Sequence, residues 1–140
     1  MNKFNISMIT IGLAITFSAM AEESMTKEAY KSEKERIELE YKSDKAKCKS
    51  LANNAKDICK AEAKGKEEVA EAELDAKYKP SKKSSYKAHV TKAKADYKIA
   101  KEKCDDLNGK PKDICHAEAK AAMIAAKADA KAKMETSDGK

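Results

Sequence analysis

Apart from one apolar run, Ile6 to Phe17, the chain mostly spaces its large nonpolar residues and brings them back at helical spacing. At 100° per residue, Tyr30, Ile37, Tyr41, Cys48, Leu51 and Ala52 all fall within about 60° of Cys48 on one helix face. A second stripe reads Tyr86, Val90, Ala93, Tyr97, Ala100, Cys104 and Leu107. Between and after these lie return segments in which Ala63, Ala70 and Leu74 share the face of Cys59. Ile58 and Val69 sit at its edge, and Glu62, Lys66 and Glu73 interrupt it. Stripes this narrow read as helix-packing core rather than as a wide exposed groove-binding face.

Breaks in the pattern set the helix ends. Asn53-Asn54 interrupts the first repeat, with Asn54 as a candidate N-cap and Asp57 three residues on. Asn108-Gly109-Lys110-Pro111 supplies a glycine stop and a proline suited to a first turn. Pro80 to Ser85 ends one helix and caps the next, with Ser84 and Ser85 as caps. The pattern predicts four helices, near 24–52, 55–79, 85–107 and 111–135.

The second half copies the first. An offset of 56 residues places Tyr30 on Tyr86, Tyr41 on Tyr97, Cys48 on Cys104, Leu51 on Leu107 and Cys59 on Cys115, without a gap. KDICKAEAK from Lys56 falls on KDICHAEAK from Lys112. Four cysteines in register are not explained by shared Lys and Ala content, so the chain is a tandem duplication.

The expected fold is therefore all-α: two tandem antiparallel helical hairpins, four helices in all, each hairpin stapled by a disulfide, and elongated rather than compact. Its parts are a signal segment 1–21, a hairpin repeat 22–79, a linker 80–85, a second hairpin repeat 86–135 and a disordered tail 136–140. Cys48, Cys59, Cys104 and Cys115 form two C-x10-C pairs, an even number in a chain that carries an export signal. Each lies about one turn from a break. Cys48 with Cys59 and Cys104 with Cys115 can thus meet across a hairpin neck, the favoured pairing. If each C-x10-C were one continuous helix, Cys48 would pair with Cys115 and Cys59 with Cys104, because eleven residues make about three turns. Zinc sites and redox pairs normally use closer spacings.

The N-terminus refines the location. Lys3 and the free amine precede the apolar run, and Ala19-Met20-Ala21 offers a small-x-small cleavage site before Glu22, the layout of a signal peptide. The run is shorter than the roughly 20 apolar residues of a membrane span. Both phenylalanines, Phe4 and Phe17, fall within the signal, and there is no tryptophan. With 39% charged residues and a net charge of +6, most side chains must stay in water. A large core is excluded, and a closed loop of about twelve residues adds about 3 kcal/mol where the core is thin.

Composition also narrows function. His89 and His116 lie in different repeats without a ligand or nucleophile at useful spacing, which makes both solvated surface residues. The carboxylates alternate with lysines along helix faces. No phosphate loop, catalytic set, cofactor site or metal site is expected. The basic residues are lysines apart from Arg36, so nucleic-acid recognition is not expected either.

The segments Lys56 to Lys64 and Lys112 to Lys120, with their C-x10-C frames, resemble those of exported proteobacterial proteins built from tandem C-x10-C helical repeats. Some of these carry the label of TolA-like cell-envelope biogenesis proteins. The resemblance implies a location in the envelope more than a role, and the expected function is that of a periplasmic, non-enzymatic structural or interaction protein. Competing readings are a chaperone-like holder of envelope proteins, a thiol or metal buffer, and an electrostatic binder of anionic envelope polymers. The partner is then a protein or an anionic polymer, and self-association stays open.

Overall fold

The computed structural model describes residues 25–136. The apolar run, the cleavage site and residues 137–140 of the tail lie outside them. Four helices follow in order: α1 (Lys27–Lys47), α2 (Asn53–Tyr78), α3 (Lys82–Cys104) and α4 (Lys110–Thr136), with a single 3-10 turn at Cys48–Ser50 after α1. No strand interrupts them among the described residues.

Local chemistry starts each helix. Thr26 caps α1, its hydroxyl accepting from the Ala29 amide at 3.1 Å, and Glu28 and Lys45 with Lys47 match the charges of the two helix ends. Ser81, rather than Ser84 or Ser85, caps α3. Ser84 closes a reciprocal capping box with it, each side chain accepting from the other's backbone amide. Lys82 to Ser85 of the expected linker are therefore helical. Asn54 does not cap α2. The N-cap position is Ala52, without a side-chain hydrogen bond, and Asn53 takes a left-handed φ of 51°.

The position 56 residues on is Gly109, whose φ is 60°. The duplication thus extends to backbone conformation: both necks turn through one left-handed residue, an asparagine in one copy and a glycine in the other. These are the residue types that tolerate it. Pro111 is the second residue of α4, where its missing amide costs no helical hydrogen bond.

Successive helices run antiparallel and touch only their neighbours in sequence. α1 packs on α2, α2 on α3 and α3 on α4, and no other helix pair meets among the described residues. The two hairpins are those expected, but the α2–α3 seam between them is the most extensive of the three. The result is one continuous layer, as in repeat proteins whose units contact only their neighbours. Its core is small: Ile37, Ala63, Ala72, Leu74, Ala93, Ala95 and Ala130 are buried with Cys48 and Cys104. Leu51 and Leu107, placed by periodicity at the ends of their stripes, lie instead in the neck turns, 40% and 41% exposed.

Candidate functional site

The features set most firmly by the sequence are the two necks. Cys48 bonds Cys59 and Cys104 bonds Cys115, each pair with Cα atoms 5.6 Å apart, inside the usual disulfide range. The crossed pairing is absent, and no described cysteine is free. In both necks the amide three residues past the buried cysteine returns to its carbonyl: Leu51 N to Cys48 O at 3.2 Å, and Leu107 N to Cys104 O at 3.0 Å. Cys48 and Cys104 are 1% exposed, whereas Cys59 and Cys115 are half-buried. A thiolate must reach sulfur to exchange a disulfide. Burial of one sulfur in each pair leaves only the other side approachable.

The necks differ in charge. At the second, Asp105 meets Lys112 at 2.9 Å and His116 Nε2 at 3.2 Å. The hydrogen bond from Lys112, followed by that from His116, holds the Asp105 carboxyl below the usual aspartate range. His116 is therefore a half-buried partner of a carboxylate and not a solvated side chain. Its partner lies eleven residues back across the neck, a closeness that only the hairpin turn creates. The first copy has Lys49 at the place of Asp105, and Lys56 and Lys60 at those of Lys112 and His116. His89 is exposed at the opposite end of the layer, beside Tyr86, Ala130 and Met134.

That opposite end is held by polar and aromatic contacts. The Tyr30 hydroxyl donates to Asp75 at 2.8 Å, the Tyr30 and Tyr78 rings stack with centroids 4.4 Å apart, and Lys87 of α3 meets the same carboxylate at 3.2 Å. Asp75 thus ties together α1, α2 and α3. Along the α1–α2 seam, Lys66 of α2 reaches Glu40 and Asp44 of α1. The lysine that breaks the apolar stripe of α2 is thereby used as a clasp.

The α2–α3 seam was not legible as a stripe. Gly65 is buried, and a Cβ there would lie 3.2 Å from Ala95 Cβ and 3.3 Å from Ile99 Cδ1, so its lack of a side chain permits the approach. Polar bonds flank it: Asn54 Nδ2 donates to the Glu102 carbonyl at 2.7 Å, and Lys103 pairs with Glu62 at 3.0 Å and Lys98 with Glu68 at 3.1 Å. The available signal was the row of small residues Ala61, Gly65 and Ala72. On α2 it lies about 120° from the cysteine face.

Among the described residues no three His, Cys, Asp or Glu side chains are placed to hold a metal, and no helix is long and apolar enough to cross a membrane. The chain matches no family model, no curated protein and no solved structure.

Proposed function

We propose that this is an exported, non-enzymatic structural and interaction protein of the bacterial cell envelope, acting in the periplasm. Its role is to present long, charged helix faces held in fixed register. The observation that carries this reading is the pair of necks: two disulfides, each with one cysteine 1% exposed, close equivalent turns of a thin helical layer. Disulfides form and persist in oxidising compartments, which agrees with the signal-like N-terminus. The closure of two equivalent necks where the core is thin supports a structural bond over a thiol buffer.

The test is made on the native protein in its own cells. Fractionation with thiol alkylation before and after reduction should place it in the periplasm with all four cysteines blocked until reduced, and crosslinking in intact envelopes should yield adducts. Cytoplasmic protein with free thiols would overturn the location, and an absence of adducts the interaction role.

A further inference from the structure

The duplication makes α4 the counterpart of α2, yet the two helices are covered differently. Ile58, Ala61, Gly65, Ala72 and Ala76 of α2 lie on the side that meets α3, and all are buried or half-buried. Their counterparts 56 residues on are Ile114, Ala117, Ala121, Ala128 and Ala132. Four of these five positions are identical and the fifth changes Gly to Ala. All five on α4 are exposed, Ile114 to 50%. The charge of Glu68 is also gone from this face. Its counterpart, Ile124, is 55% exposed. Repeat arrays normally end in a polar face; this one ends in an apolar copy of an internal seam.

The other half of that seam is repeated at the opposite edge. α1 is the counterpart of α3, and the place of Ala95 is taken by Leu39, 65% exposed, while that of Ile99 is taken by Ser43. The large side chain has moved by one turn, and small residues flank it at Ser32 and Ala46. The antiparallel alternation also carries over, since α4 followed by another α1 continues the order of the layer.

We propose that the outer face of α4 docks on the outer face of α1 of a second copy of this chain, repeating between molecules the α2–α3 seam within one. This deepens the interaction reading above by naming the partner. The ion pairs of the internal seam show how the copy differs. Lys103 with Glu62 becomes Lys47 with Glu118, which preserves the pair. Lys98 with Glu68 becomes Lys42 with Ile124, and Lys87 with Asp75 becomes Lys31 with Lys131. One attraction is kept, one is exchanged for apolar contact and one turns repulsive. The docking between molecules is thus weaker than the internal seam and depends on concentration. Such a contact is heterologous, so it adds molecules head to tail instead of closing on a symmetric dimer.

Sedimentation equilibrium of the native, oxidised protein over a range of concentrations tests this. The apparent mass should rise from that of the monomer to twofold or more. Ile124→Glu introduces the residue found at position 68, which α2 already accommodates, so helicity should hold while the rise is lost; Leu39→Glu should act alike. Crosslinking a mixture of heavy- and light-isotope protein should give α1–α4 links between molecules, a pair that does not touch within one. A monomer at every concentration, links only between two α4 helices, or undiminished association of Ile124→Glu would each overturn the proposal. Failure of these tests leaves compartment, thiol state and adducts with other envelope components untouched, so the broader reading stands or falls separately.

Discussion

The Tyr30 hydroxyl and the Asp75 carboxylate, 45 residues apart, meet at 2.8 Å across the open end of the first hairpin. A part-buried hydrogen bond to a charged acceptor contributes about 1.5 to 3 kcal/mol. Tyr30→Phe should therefore lower the unfolding free energy by about that amount in urea titrations followed by circular dichroism. The matched control is Tyr86→Phe, because the counterpart of Asp75 in the second repeat is Lys131. Equal losses from the two variants would refute a role for this bond.

Acid should loosen the layer. Burial alone would raise Asp75, but the hydrogen bonds from Tyr30 and Lys87 outweigh it and hold the carboxyl below the usual range. Hydrogen bonds from Lys47 and then Lys66 lower Asp44, and Lys112 with His116 lowers Asp105. A group with a depressed folded pKa stabilises the fold above its unfolded value, near 3.9, and this is lost as pH falls through the folded value. Thermal midpoints should be nearly level above about pH 5 and drop below about pH 4. Asp75→Asn should be less stable at neutral pH and show a shallower acid drop.

The sequence was most legible where chemistry repeats and least where two helices meet. The cysteine spacing, the tyrosine register and the Asn and Gly-Pro breaks are local signals, and they foretold four helices, the hairpin necks and the pairing of Cys48 with Cys59. Asn53 and Gly109 were visible as breaks, though not as one shared left-handed turn. Nothing local revealed that Asn54 reaches the Glu102 carbonyl, or that Lys66 clasps α1. The second packing face of α2 was hidden because alanine and glycine carry little hydrophobic signal. What matters there is closeness of backbones.

Gly65 offers a direct check on that closeness. Gly65→Leu forces a side chain into Ala95 and Ile99 and should cost about 1 to 3 kcal/mol by overpacking, in spite of the better helix propensity of leucine. At the exposed counterpart, Ala121→Leu should change monomer stability by less than about 0.5 kcal/mol. Equal tolerance at both sites in denaturant titrations would show that α2 and α3 do not approach as described.

The left-handed neck residues make a paired prediction. Gly109→Ala meets no atom within 4 Å of the added Cβ, so its cost is conformational, about 1 to 2 kcal/mol. Asn53→Ala should cost about 1 kcal/mol, whereas Asn53→Gly should be tolerated. Thermal unfolding of the three variants reads this directly, and a stabilising Gly109→Ala would contradict the assigned φ.

Removing a staple should matter at least as much as these. Cys48→Ala with Cys59→Ala opens a loop of about twelve residues and should cost about 3 kcal/mol. A thiol reductant should lower helicity in the same sense. Unchanged far-ultraviolet circular dichroism and an unchanged thermal midpoint on reduction would show that the bonds are dispensable.

Both disulfides lie along one rim of the layer, and the tyrosine contacts lie along the other. One edge is bound like the spine of a book, while at the other the two leaves of each hairpin are held by side-chain contacts alone and only the chain from Lys79 to Ser81 joins α2 to α3. Opening motions should start at the fore-edge, so backbone amides near Tyr30, Tyr78 and Met134 should exchange with solvent well before those beside Cys59 and Cys115. A force that splays α1 from α2 would meet a covalent bond at the spine and only side-chain clasps at the fore-edge.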